Sequence, residues 1–246
     1  MHRFFAPEAG RSEGVKLPDS EALHATRVLR LPAGAPVTLF DGEGGEFTGI
    51  LEFASRTQVS VRVQSHRKHP RPAAEVTLIQ AVAKGPAMDG LVHRAVELGC
   101  HRLVPVVTDR SVSRPEAAEE RQAKWQAIAV EAAKQSGNPW RMKVEPPRSL
   151  SVWLARAERF ELALIASLLD SPCHLRAPFD AFHQVEKRLP RTVAVIVGPE
   201  GDFTAAEYAA FQSAGARSVT LGPYVLRVET AATAALAIIQ SRMTEA

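Results

Sequence analysis

Two short segments could do chemistry together: V-G-P-E-G-D-F-T, Val197 to Thr204, and L-G-P-Y-V-L-R-V-E-T-A, Leu221 to Ala231. Each follows an apolar, strand-like run, turns through Gly-Pro and feeds a helix-like pattern. Glycine lets a ligand approach the main chain with no Cβ in the way, and proline stiffens the bend by fixing φ. Set side by side, two such loops make a slot for a flat, polar small molecule. The second adds Arg227 and Glu229, a cation able to stabilise a developing anion and a carboxylate able to take a proton. A surface ion pair of little energetic weight is the plain alternative for these two, as an ordinary Gly-Pro turn is for the first loop. Neither loop is a familiar phosphate cradle, since G-x-G-x-x-G is absent and no G-K-[ST] follows.

The elements that must position the loops alternate between strand and helix. Val76 to Val82, Leu103 to Val107, Leu162 to Ala166 and Val193 to Val197 are continuous apolar runs of the kind buried parallel strands show, with Val219 to Leu221 as a last short strand. Met88, Leu91, Val92, Ala95 and Val96 repeat at helical spacing before Gly99, and a second helix is expected over Glu116 to Gln135 with Trp125 on its apolar face. Thr204 and Glu207 form a T-x-x-E capping box for a helix to about Ala214. Thr230 to Gln240 is apolar nearly all round, as in a buried or subunit-interface helix, with Thr230 a possible cap. This alternation predicts an α/β domain on a mostly parallel sheet.

The first 65 or so residues read differently, as a small β-rich unit. Strands are expected at Val37 to Phe40, Phe47 to Phe53 and Val59 to Val63, with a short helix over Glu21 to Leu29 capped by Asp19 or Ser20. Gln64 to Pro72, Q-S-H-R-K-H-P-R-P, is polar, basic and proline-bearing, and reads as a linker. Its His66 and His69 stand three apart, but no carboxylate or thiol nearby joins them, so a solvated basic segment is expected rather than a metal site.

Composition sets limits. Apolar residues make up 46% of 246, enough for a packed core rather than disorder. The net charge of +3 suits nucleic acid without establishing it. Cys100 and Cys173 are far apart and without partners at metal-ligand spacing, so reduced thiols in the cytoplasm are expected. No signal-peptide layout and no membrane-length apolar run is seen.

Further motifs give the chain a resemblance. H-x-x-R-V-L-R lies at His24 to Arg30, and K-G-x-x-M-D continuing into E-L-G at Lys84 to Gly99. D-R-S is Asp109 to Ser111, and W-x-x-I-x-x-E-A-A-K-Q-S-G is Trp125 to Gly137. With G-P-E-G and L-G-x-x-V-L-R-x-E-T-A, the chain resembles, over its whole length, the 16S ribosomal RNA uridine-N3 methyltransferases within the SPOUT superfamily. The resemblance implies a PUA-like RNA-binding β-barrel over 1–70 and an α/β methyltransferase domain with a deep trefoil knot over 73–246. It also implies S-adenosylmethionine as cofactor and a homodimer whose active site lies close to the partner subunit. The implied substrate is 16S ribosomal RNA in the small ribosomal subunit, the assembled subunit being preferred. A related enzyme acting on another RNA site, and a non-catalytic RNA-binding module, remain alternatives.

Residue by residue, the resemblance makes Arg227 and Glu229 catalytic. It gives the cofactor Gly198, Pro199, Glu200, Gly201, Leu221, Gly222, Val225, Leu226 and Thr230, with Ala166 and Ser167 completing the slot. RNA falls to Arg3, His24, Arg27, Arg30, Lys84 and Arg110, while Gln135, Ser136 and Asn138 are candidates to approach the uridine. Trp125 and Trp140 could stack on bases, although a tryptophan on a helical face is more often core. Three positions depart from the family pattern: Tyr224 and Asn138 where arginine is usual, and Asp202 where a second glycine is usual.

Overall fold

The computed structural model describes residues 1–53, 58–111, 117–168 and 172–244. They form two compact units, Met1–Arg71 with Ala133–Arg141, and Pro72–Ala132 with Met142–Ala246.

In the first unit, β1 (His2–Phe5) and β2 (Gly14–Lys16) precede α1 (Asp19–Leu23), then come β3 (Pro36–Phe40), β4 (Gly45–Phe53) and β5 (Val59–Lys68). The strands form one sheet in the order β1-β3-β4-β5-β2. Its first pair is parallel and the others antiparallel. Alternate residues turn inward, so Phe4, Val37, Leu39, Leu51, Val59 and Val61 share one core. The short helix departs from expectation. Pro18 stands at its N-cap with no side-chain bond, so neither Asp19 nor Ser20 caps it. From His24 to Val28 it relaxes into a π-helical turn, with the Leu29 amide donating to the His24 carbonyl at 2.9 Å.

The expected linker is also corrected. Gln64 to Lys68 belong to β5: Ser65–Lys68 pair with Gly45–Thr48 of β4, and Gln64 is the extra residue where the register shifts, so only His69–Pro72 lie outside the strand. Polar side chains suffice there because the main-chain ladder, not burial, holds the strand end. Thr48 and Ser65 share a hydroxyl hydrogen bond, and His66 stacks on Phe47. The tail of the long helix and the turn after it, Ala133–Arg141, cluster with this unit. There Trp140 lies over Gly44, where φ is +84° and an added Cβ would fall 2.3 Å from the indole ring. Only glycine fits that contact.

The second unit begins with β6 (Glu75–Ala81), α2 (Ala87–Glu97), β7 (Arg102–Val107) and α3 (Ala118–Ser136). Then come β8 (Lys143–Val144), β9 (Arg148–Ser149), α4 (Leu150–Leu154), β10 (Leu162–Ala166), β11 (Cys173–His174) and α5 (Arg176–Glu186). It ends with β12 (Thr192–Val197), α6 (Ala205–Ser213), β13 (Arg217–Thr220) and α7 (Val228–Thr244). The sheet runs β11-β13-β10-β12-β6-β7-β8. Every recorded pairing is parallel. Val193–Val197 is buried throughout, as expected for strands covered on both faces. One face carries an aromatic core of Trp153, Phe203, Tyr208 and Phe211, and α7 packs with α2. The last helix starts at Val228, so Thr230 lies inside its first turn and is not its cap. Trp125 is buried and its indole donates to Asp89 Oδ1 at 3.2 Å, so it is a core residue and not a stacking platform.

Candidate active site

Three strand ends of the parallel sheet open onto one cavity of about 740 Å³. Ala166–Leu168 leave β10, Val197–Glu200 leave β12, and Thr220–Leu226 leave β13. Carboxyl ends of parallel strands are where α/β folds collect ligands, because the loops there are free of sheet packing. Of the predicted cofactor residues, Gly198, Pro199, Glu200, Leu221, Gly222, Val225 and Leu226 line this cavity, as do Ala166, Ser167, Arg227 and Glu229. Gly201 and Thr230 do not. The Gly201 carbonyl instead accepts from Arg110 Nη1 at 2.8 Å.

The first loop is held from four sides. Gln80, fully buried, donates from Nε2 to the carbonyls of Ala81 and Val197 at 2.9 and 3.3 Å, which ties β6 to the root of the loop. The Glu200 carboxylate accepts from the Lys84 amide at 3.0 Å. Phe203 is buried against Tyr208 and Phe211, with ring centroids 5.5 and 5.1 Å away. The capping box at the start of α6 is complete, and its Glu207 also accepts from the Asp109 amide at 2.9 Å. That carboxylate therefore fastens the D-R-S segment to the loop.

Asp202 takes the left-handed conformation, φ +61°, a region that glycine enters freely and most other residues avoid. Its Oδ1 accepts from the Phe203 amide at 2.8 Å and from the Tyr208 hydroxyl at 2.7 Å. Burial first, and the Asp202 carboxylate second, push Tyr208 up to about 12, so the phenol keeps its proton and donates. Sequence reasoning missed Tyr208. Its place at the fourth residue of α6, in reach of the loop, was the available signal.

The second loop is more open. The Gly222 amide donates to Thr220 Oγ1 at 3.3 Å, and that hydroxyl donates to the Gly222 carbonyl at 2.9 Å, which closes a tight turn. At Gly222 φ is +155° and nothing lies within 4 Å of an added Cβ. A side chain there would occupy the free space the loop borders. Tyr224 and Val225 are 82% and 75% exposed. Arg227 is exposed and its carbonyl accepts the first helical bond, from the Ala231 amide at 2.8 Å. A cation at this end of a helix opposes the macrodipole, so Arg227 does not serve the helix. Glu229, in the first turn, complements the dipole and faces the same cavity.

The predicted RNA residues are dispersed. In the first unit Arg27 and Arg30 are exposed, and His24 is half-buried edge-on to Phe4. Arg3 is engaged by Glu46 and by the Gly137 carbonyl. In the second unit Lys84 and Arg110 are exposed, one after β6 and one after β7. Gln135 and Ser136 are exposed, while Asn138 Oδ1 accepts from the Trp140 amide at 2.9 Å. All three belong to the first unit. Among the described residues there is no cluster of three metal-ligating side chains.

Residues 69–240 match the family described as an RNA methyltransferase domain, and residues 17–64 match an RNA methyltransferase PUA domain. A ribosomal RNA small subunit methyltransferase E from Synechocystis is 30% identical over 239 residues, 96% of this chain and 76% of that protein. The chain belongs to the ribosomal RNA small subunit methyltransferase E family. Within it, the enzyme from Aquifex aeolicus is 29% identical over 98% of this chain and 100% of its own length. The crystal structure of the family member from Neisseria gonorrhoeae, bound to S-adenosyl methionine, is 31% identical. It superposes with a TM-score of 0.83, covering 98% of this chain and 97% of that one.

Proposed function

We propose that this chain transfers a methyl group from S-adenosylmethionine to N3 of a uridine in 16S ribosomal RNA of the small ribosomal subunit. The observation that carries this is the cavity at the two Gly-Pro bends, whose wall also bears Arg227 and Glu229. The residues fit the cofactor. About 740 Å³ lies within the range of pockets that hold small molecules. Its walls combine main chain and apolar groups with the charged residues Glu200, Asp202, Arg227 and Glu229, and open space stands beside Gly222. We assign the contacts to Gly198, Pro199, Glu200, Leu221, Gly222, Val225 and Leu226.

When bound, the donor supplies an electrophilic methyl on a sulfonium. The protein's own tasks are alignment and the exclusion of water. Uridine N3 carries a proton and is a poor nucleophile until it leaves. Arg227 stabilises the resulting imide anion electrostatically, and Glu229 accepts the proton or orients Arg227. Arg27, Arg30, Lys84 and Arg110 supply cations for RNA phosphates, so affinity should fall steeply with salt.

The proposal includes a cytoplasmic homodimer, for which the exposed Tyr224 and Val225 beside the cavity offer apolar surface. It also includes closure of the N-terminal sheet into a barrel and a knotted C-terminal domain, which family membership supports. Small subunits and naked 16S RNA, incubated with the chain and labelled donor, then digested and mapped, test it. One 3-methyluridine, formed more readily on the assembled subunit, is expected. Methylation of another base or site would overturn the assignment, and absence of donor binding would leave an RNA-binding module.

A further inference from the structure

We propose that Tyr208 and Asp202 act as a positioning pair, holding the first Gly-Pro loop against the end of β10 and so setting how tightly the cavity takes its donor. This rests on the cofactor reading above. Asp202 occupies a backbone conformation that glycine takes freely and an L-residue resists. Three contacts help hold it there. The Asp202 amide donates to the Pro199 carbonyl at 2.9 Å. The Asp202 carboxylate accepts from the Phe203 amide and the Tyr208 hydroxyl. The same hydroxyl oxygen accepts from the Leu168 amide at 3.4 Å. One phenolic group, on a side chain only 2% exposed, thus joins the loop after β12 to the segment after β10. Asp202 and Leu168, the residues it ties, both line the cavity.

The position and its partner go together. Aspartate tolerates this region through its local bond to the Phe203 amide, and, unlike glycine, it also supplies the acceptor that Tyr208 engages. A hydrogen bond to a carboxylate, lost from a partly buried site, is enough to change an equilibrium about tenfold. The ring itself packs edge-on to Phe203 and would stay in Tyr208→Phe, so the variant should fold; its melting temperature checks this.

The test is a double-mutant cycle in the full chain. Tyr208→Phe should weaken donor binding about tenfold by calorimetry and raise the donor KM alike, with kcat at saturation held within about twofold. In an Asp202→Gly background the same substitution should change binding by less than about twofold. In donor-free protein, exchange of the Phe203 and Leu168 amides should speed up about tenfold in Tyr208→Phe. Unchanged exchange at both amides would overturn the pair, as would equal losses of affinity in the two backgrounds, which would make Tyr208 a packing residue only. Failure of the unsubstituted chain to take S-adenosylmethionine would instead refute the cofactor reading, and the exchange measurement, made without donor, still decides the pair.

Discussion

Glu207→Ala should destabilise the methyltransferase unit while touching no residue that lines the cavity. Glu207 is 7% exposed. Its carboxylate accepts from the Thr204 amide at 2.8 Å, the Thr204 hydroxyl at 3.2 Å and the Asp109 amide at 2.9 Å. Hydrogen bonds to charged groups contribute roughly 1.5–3 kcal/mol each. Asp109 is exposed and Thr204 half-buried, so water can replace part of the loss and the low end applies. Two main-chain bonds then give about 3 kcal/mol, consistent with the roughly 1 kcal/mol of a lost cap plus a tertiary contact. For a chain of this length that is a fall in Tm of about 6–12 °C. Glu207→Gln keeps an acceptor oxygen and should lose roughly half as much. Circular dichroism melts measure both, and exchange of the Asp109 amide reports the tertiary bond separately. A Glu207→Ala protein melting within about 2 °C of the unsubstituted chain would refute the claim that this carboxylate fastens the D-R-S segment to the first loop.

Other outcomes follow from individual environments. Arg227→Ala should lower single-turnover methyl transfer by about 10²–10³-fold, the range for losing one oxyanion-type donor, while donor affinity by calorimetry stays within a few-fold; full turnover would end its assignment. Burial pushes the Cys100 thiol up to about 12, whereas Cys173 is exposed. A disulfide reagent at pH 8 should therefore titrate Cys173 alone in the native protein, and Cys100 only after denaturation. Glu161 is held down at about 2 by hydrogen bonds from Arg188 first and the Arg191 amide second. A depressed carboxylate stabilises the fold above its unfolded value, here 4.5, and that contribution is lost as pH falls towards about 2. Glu161→Gln should thus flatten the acid limb of a melting-temperature profile over that window, an effect that added salt should shrink because the pair is solvent-screened.

Much of the catalytic half was legible because its strands are fully covered and its sequence says so. Leu162–Ala166 and the Val193–Val197 run are strands where they are expected, and the T-x-x-E box opens α6. The rest depended on interactions that leave no local trace. A polar strand end such as Gln64–Lys68 is stabilised by its partner's main chain, so composition misread it as a linker. The helical pattern of α3 runs on unbroken to Ser136, and only the packing of Trp140 on Gly44 and Lys134 on Glu21 reveals that its tail belongs with the N-terminal residues. The π-helical turn at His24 and the left-handed Asp202 are single-residue matters of backbone geometry. In the site, spacing singled out both loops and the charged pair, which line one cavity. The resemblance added Gly201 and Thr230 to the cofactor set, but neither lines the cavity: the Gly201 carbonyl accepts from Arg110 and Thr230 sits within α7.

The donor should lie between the two bends, and calorimetric titration of S-adenosylmethionine into Gly222→Val beside the unsubstituted chain tests this directly. One site per chain, abolished by the valine that both fills the free space at Gly222 and strains its φ of +155°, with the melting temperature little changed, is the predicted result. Equal binding by both proteins would place the donor elsewhere and contradict it.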